Sequence, residues 1–195
     1  MPKKKRIWYP GAVYHIMCRG NRRGEIFREE EDYWVYLSIL EQVKNKYGFT
    51  LYSYCLMTNH MHLQMETKDV DIGNIMRSIN LFFTKYFNNK YNLVGHLFQG
   101  RYKGEIITSD AYNLQTSRYI HLNPVKAKMV EDILDYPWSS YDIYMGMRRS
   151  ELVDESIILK YFLNSSRALY KEYVEKSIIE KEIDERLERL MDVDV

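Results

Sequence analysis

Residues 51–65 carry an alternation of side chains that an extended chain can use. In Leu51-Tyr52-Ser53-Tyr54-Cys55-Leu56-Met57, and again in His60-Met61-His62-Leu63-Gln64-Met65, successive side chains point to opposite faces, and Thr58-Asn59 supplies a tight turn between the two runs. The pattern predicts a β-hairpin over residues 49–67. Its second arm sends Met61, Leu63 and Met65 into a core and stands His60 and His62 side by side on the other face. Residues 9–19 read as a strand with both faces partly buried, closed by the glycine- and arginine-rich turn Arg19-Gly20-Asn21-Arg22-Arg23-Gly24. Between them, residues 29–47 predict a helix: acidic residues crowd its first turn, Tyr33, Leu37 and Leu40 recur at helical spacing, and Gly48 stops it.

A second helix is expected over residues 70–90, with Ile72, Ile75, Met76, Ile79, Phe82, Phe83, Tyr86 and Phe87 giving it a broad apolar face. Residues 96–107 then read as a loop entering a fourth strand, with Arg101 and Lys103 two apart on one face. The order strand, helix, strand, strand, helix, strand is that of a ferredoxin-like split βαβ fold. It belongs to the α+β class, with an antiparallel sheet and helices on one face. A third helix follows, capped by Ser109 or Asp110 and expected to stop near Asn123-Pro124, because the residue before proline disfavours helix. Residues 126–150 look irregular, anchored by Tyr136-Pro137-Trp138 and Tyr141. From about Asp154 the chain reads as helical, so the expected organisation is a domain over 1–145 and a helical C-terminal extension over 146–195.

Charge changes this picture by its distribution. Residues 1–150 carry 21 Lys/Arg against 15 Asp/Glu, a net of +6, whereas residues 151–195 carry 7 against 12, a net of −5. A basic body suits a polyanionic partner and an acidic tail does not share that role. Lys3-Lys4-Lys5-Arg6 reads as a basic arm. It leads into no signal-peptide core, and no apolar run has transmembrane length, so a cytoplasmic protein is expected, with no membrane partner. Cys18 and Cys55 lack C-x-x-C spacing and are expected as reduced core thiols.

Two imidazoles on one face of a strand are half of a metal site, and their chemistry needs a third ligand and a reactive group from elsewhere. The third helix can supply both. Tyr119 and Asn123 are four apart and share a face, so the helix packed beside the hairpin would offer a phenol and an amide oxygen. Among 18 tyrosines composition picks no nucleophile, and Tyr112, two turns earlier, is the nearest rival. Arg19, Arg22, Arg23, Arg101 and Lys103 are candidates for phosphate contacts, and Tyr102 for stacking on a base. His15 and His121 read as structural. No P-loop is present, so no nucleotide cofactor is expected.

Five stretches together carry a resemblance: Tyr14-His15-Ile16 with Arg19-Gly20-Asn21-Arg22, residues 54–62, Gly95-His96-Leu97-Phe98-Gln99-Gly100-Arg101-Tyr102-Lys103, Arg118-Tyr119-Ile120-His121-Leu122-Asn123-Pro124-Val125, and Tyr136-Pro137-Trp138-Ser139-Ser140-Tyr141. They cover about residues 10–145 and resemble the HUH-type single-tyrosine transposases, above all the REP-associated branch and related insertion-sequence transposases. The resemblance implies cutting and rejoining of single-stranded DNA at the foot of a hairpin, through a tyrosine that takes up a 5′-phosphate. It implies His60 and His62 as metal ligands, Tyr119 as the nucleophile, and Asn123 as the third ligand where many relatives place glutamine. The cation implied is Mg²⁺ or Mn²⁺, two imidazoles suiting Mn²⁺ rather better. Two alternatives stay open: a DNA-hairpin binding protein on the same scaffold that has lost catalysis, and an HUH replication or mobilisation nuclease. Monomer and homodimer are both compatible with the sequence.

Overall fold

The computed structural model describes residues 7–176. The basic arm at residues 3–6 and the distal part of the C-terminal extension lie outside the described residues. The chain forms four strands, β1 (Val13–Arg19), β2 (Thr50–Met57), β3 (His60–Glu66) and β4 (Lys103–Ile107), and three long helices, α1 (Glu30–Tyr47), α2 (Ile72–Lys90) and α3 (Asp110–Lys126). Three short helices follow: α4 (Tyr141–Tyr144), α5 (Ser156–Leu159) and α6 (Arg167–Glu175). The sheet order is β2-β3-β1-β4 with every neighbour antiparallel, the ferredoxin-like arrangement expected from the element order.

The period-two pattern decides what each face of the sheet meets. Tyr14, Ile16, Tyr54, Leu56, Met61, Leu63 and Met65 point to one side and join the main core with Tyr36, Leu40, Ile75, Ile79 and Phe83 of α1 and α2. Full burial of side chains such as Met61 and Leu63 contributes about 1.5–3 kcal/mol each. The opposite face carries Cys55 and Met57, which form a second, smaller apolar cluster with Tyr112, Tyr119 and Ile120 of α3. Helix α3 therefore lies alone across the face that bears His60 and His62. Both cysteines are buried thiols outside any disulfide, as expected.

Local sequence explains the element ends. Asp32 turns back to accept from the backbone N–H groups of Arg28 (2.8 Å) and Glu29 (3.1 Å), which starts α1. Gly48 ends it at φ 72°, its N–H donating to Lys44 O, a conformation that a side chain would strain. The first strand is shorter than expected, because the chain turns at Pro10-Gly11 before β1 begins. Helix α3 runs past the expected stop. Pro124 sits inside it and the helix closes only at Ala127, whose N–H donates to Asn123 O. Pro124 is in the last turn and buried. Its missing N–H takes one bond from the carbonyl four residues back, and the turn is closed from beyond it by Ala127 N, Met129 N and Lys128 N donating to the carbonyls of Asn123, Pro124 and Val125.

In the described part of the C-terminal extension, the helical reading from about Asp154 resolves into the short helices α5 and α6 with a break between them. Between α5 and α6 the chain turns at Leu163–Ser165, with Asn164 and Ser165 left-handed (φ 54° and 51°), and Ser166 caps the next helix by accepting from Leu169 N. Asn and Ser compete for backbone hydrogen bonds and break helices, which is why apolar periodicity alone overextends the element. Leu152, Val153, Ile158, Leu159, Tyr170 and Val174 are buried in the main core. Residues 138–154 also cover the β2 edge, where Leu56 N donates to Trp138 O (2.9 Å) and Asp154 N to Leu51 O (2.9 Å).

Candidate active site

The hairpin sets the first two groups. His60 and His62 project from one face of β3, their ring centroids 5.1 Å apart and nearly perpendicular. Both are buried. The third helix adds the phenol: the Tyr119 ring meets His62 edge-on at 5.6 Å and His15 at 5.8 Å. One turn later, Asn123 donates its Nδ2 to Tyr119 O (3.2 Å), which commits the NH₂ end and leaves the amide oxygen to face His60. The residues that sequence spacing placed on separate elements are thus brought together at the contact between α3 and the sheet. Tyr102 is the exception. Its ring is 5% exposed and belongs to the main core, packed close to Gly104, so it offers no face for a base to stack on. The alternation that turns Arg101 and Lys103 outward turns Tyr102 inward.

Electrostatics keep the imidazoles neutral. Burial holds His60 down at about 4, helped by the neighbouring Arg19 charge and opposed by the adjacent Asn123 amide. His62 is lowered further, by burial first and then by His15, His60 and Arg19. Neutral imidazoles are the form that ligates metals. Both Nδ1 atoms are engaged, His60 Nδ1 with Asn59 Oδ1 (2.6 Å) and His62 Nδ1 with His15 Nε2 (2.9 Å). Both Nε2 atoms are buried with no hydrogen-bond partner. Two such nitrogens beside an amide oxygen fit a divalent cation that accepts mixed nitrogen and oxygen ligands. Among the described residues no cluster of three or more His, Cys, Asp or Glu side chains is placed to hold a metal.

A family model described as IS200-like transposase matches residues 9–123, more than half of the chain. The chain belongs to the IS200-like transposase family. A Haemophilus influenzae protein named as a REP-associated tyrosine transposase is 30% identical over 116 residues, which is 53% of this chain and 65% of that protein. The chain thus spans 65% of the length of that curated relative. A solved structure of a REP-associated tyrosine transposase bound to a REP hairpin is 21% identical with a TM-score of 0.63, covering 79% of this chain and 94% of that one. At that identity the likeness is one of fold.

In this member of the IS200-like family, Arg19 borders the histidines and the other basic candidates lie on the turn beyond it and at the entry to β4. Arg19 ends β1 opposite His60 and is half-buried. Arg22 and Arg23 are exposed on the turn beyond it, both at positive φ (53° and 58°). Gly20 makes that turn possible: a Cβ there would stand 1.9 Å from Gly24 O. The turn is tied to the loop before β4 by Asn21 N donating to Leu97 O and Gln99 N donating to Arg19 O. This places exposed Arg101 and half-buried Lys103 on the same side of the molecule. Lys126, at the end of α3, has its Nζ 5.1 Å from the centre of the Tyr119 ring.

Sequence reasoning passed over two groups. His15 was expected to be structural, yet it contacts both His62 and Tyr119. Only the register of β1 against β3 reveals this, since His15 pairs with Gln64 and so lies diagonal to His62. Asn59 reads as a turn residue and also anchors His60. His121 is structural as expected, bonded to Tyr170 OH (2.7 Å) and Ser140 Oγ (2.8 Å). Among the described residues no helix is long and apolar enough to cross a membrane.

Proposed function

We propose that this chain is a metal-dependent transposase that cleaves and rejoins single-stranded, hairpin-bearing DNA through a phosphotyrosine on Tyr119. Its catalytic unit is assigned to residues 1–145, with 146–195 as a supporting extension. The observation that supports this reading most is the convergence of Tyr119, His60, His62 and Asn123 from two elements, with both His Nε2 atoms left bare. Family membership and the hairpin-bound relative of like fold support the substrate class.

His60 Nε2, His62 Nε2 and Asn123 Oδ1 are the groups assigned to hold Mg²⁺ or Mn²⁺. When bound, the cation would draw charge from a phosphate oxygen and orient the scissile group. The chain's own residues do the rest. Helix α3 carries the Tyr119 phenol against the histidines, and Lys126 places positive charge over the ring that must become negative as it attacks. The phenol gives up its proton and its oxygen bonds to phosphorus, the bond from phosphorus to the 3′-oxygen breaks, and the departing 3′-oxygen takes up a proton to leave as a hydroxyl, so that no proton is gained or lost overall. Attack by a 3′-hydroxyl on the phosphotyrosine reverses the step, so rejoining needs no nucleotide. Arg19, Arg22, Arg23, Arg101 and Lys103 are assigned to phosphate contacts along the incoming strand.

The test is a covalent adduct assay on single-stranded hairpin DNA from the flanks of the protein's own gene, with Mg²⁺, with Mn²⁺ and with chelator. Wild type should form an adduct that chelator abolishes, and Tyr119→Phe should lower its yield by at least ~10³-fold while binding DNA normally. An adduct that persists in Tyr119→Phe sinks the nucleophile assignment, and one indifferent to chelator sinks the metal. Tight binding without any adduct would leave a hairpin-binding protein.

A further inference from the structure

We infer that His15 is a positioning residue of the metal centre: it accepts the Nδ1–H of His62 and thereby leaves the His62 Nε2 lone pair for the cation. This rests on the metal reading above and extends it to a side chain on a different strand.

The neighbouring ligand shows how the device works. Asn59 donates its Nδ2 to Arg23 O (3.3 Å), so the oxygen end of its amide faces His60 Nδ1. An oxygen there requires the His60 proton to sit on Nδ1, and His60 Nε2 is then a bare lone pair. His62 stands in the same relation to His15. The two rings are fully buried, stacked at 17°, and joined between His15 Nε2 and His62 Nδ1 at 2.9 Å. Two proton arrangements satisfy that bond. With the proton on His62 Nδ1, His62 Nε2 carries a lone pair and His15 keeps its own proton on Nδ1, where it meets no acceptor. With the proton on His15 Nε2, His62 Nε2 must carry an N–H that meets no acceptor. Only the first arrangement makes His62 a ligand, and a bound cation selects it.

Metal-bound histidines usually donate this second N–H to a carboxylate or a carbonyl, which makes the ligand more basic. A neutral imidazole in that role pushes less charge onto the cation. The metal then stays more electrophilic toward phosphate and is held less tightly. Tyr119 rests edge-on against His15 as well as His62, so the same ring also fixes the wall on which the phenol lies.

Two measurements test the assignment. Mn²⁺ affinity is read by electron paramagnetic resonance for wild type, His15→Leu and His15→Gln. Leu should weaken binding by ~10–100-fold, the usual effect of losing such a partner, and Gln, whose carbonyl can accept the same proton, should recover most of it. A merely structural role would make the two variants fail alike, and equal affinity in wild type and a folded His15→Leu would overturn the inference. Long-range ¹⁵N–¹H correlation spectra of the wild type with Cd²⁺ as a diamagnetic probe stand independent of variant folding. They should place the His62 proton on Nδ1 and the metal on Nε2, and the reverse assignment would refute the role of His15. A wild type that takes up neither cation overturns the metal reading itself, and the positioning role with it.

Discussion

Of the five histidines, His96 is exposed and the other four are buried and held neutral. His121 shows the consequence for stability most simply, because its ring bonds Tyr170 and Ser140 rather than facing the histidine pair. Burial lowers it to about 3 from an ordinary 6.5. The unfolded chain therefore binds a proton near pH 6.5 that the folded chain refuses until about pH 3, so stability falls as pH drops through that window. Between pH 7 and pH 4 this one residue should account for about 3 kcal/mol. Denaturant titrations at the two pH values should show a smaller loss, by that amount, in His121→Gln, and identical losses would refute the attribution. At this scale the His-x-His pair and Tyr119 were legible because period two and period 3.6 fix their faces. Tyr102 was not, since an aromatic residue beside basic ones fits both a stacking surface and a core.

At the scale of elements, α1 and α2 are locked through one buried carboxylate. Asp32 is fully buried and accepts from Tyr86 OH (2.8 Å), Tyr91 OH (2.8 Å) and Lys90 Nζ (3.0 Å). Removing one partner of a buried charged network strands the others, so Asp32→Ala should cost about 3–5 kcal/mol, measured as a shift in the urea midpoint. A loss under ~1 kcal/mol would mean that the network is solvated in solution. The arginine turn makes a separate test. Gly20→Ala forces a Cβ onto Gly24 O, so the turn must open and hairpin DNA affinity should fall by ~10-fold or more in filter binding. Unchanged affinity would remove Arg22 and Arg23 from the DNA surface. The long helices and the hairpin were readable from capping residues and periodicity. The course of α3 through Pro124 was not, because its last turn is held by burial, which local sequence does not report.

The whole molecule is two unequal layers on one sheet. One face is packed by α1 and α2 through a broad aromatic core, while α3 on the other carries the proposed nucleophile Tyr119 and is backed by the described part of the C-terminal segment. Alternate residues of α3 divide the work. Tyr119 and Asn123 face the sheet, whereas Ser117 and His121 bond to Tyr170 OH of α6 (2.6 and 2.7 Å) and Arg118 bonds to Val174 O. Truncation after residue 165 should therefore lower adduct formation although none of the described residues it removes touches the site, and full activity of the truncated chain would refute this support. The basic surface predicts a salt response: each of Arg22→Ala, Arg23→Ala and Arg101→Ala should reduce the slope of log affinity against log salt by about 0.7–1. The ferredoxin-like order was legible from the succession of elements. The partnership of α3 with α6 was not, since it joins residues about 50 apart in the chain through buried hydroxyls.

Asn59 joins the arginine turn to the proposed metal centre, two places assigned to different ligands. One end of its amide accepts from His60, the other donates to the carbonyl of Arg23, and its own carbonyl receives Gly20 N–H (2.8 Å). A phosphate that settles the arginine turn thus also settles the imidazole beneath it, and a cation on that imidazole settles the turn. Thermodynamic linkage makes the exchange symmetric: whatever factor the DNA adds to cation affinity, the cation must add to DNA affinity. Asn59→Ala should bring both factors toward one, leaving two ligands that bind without notice of each other.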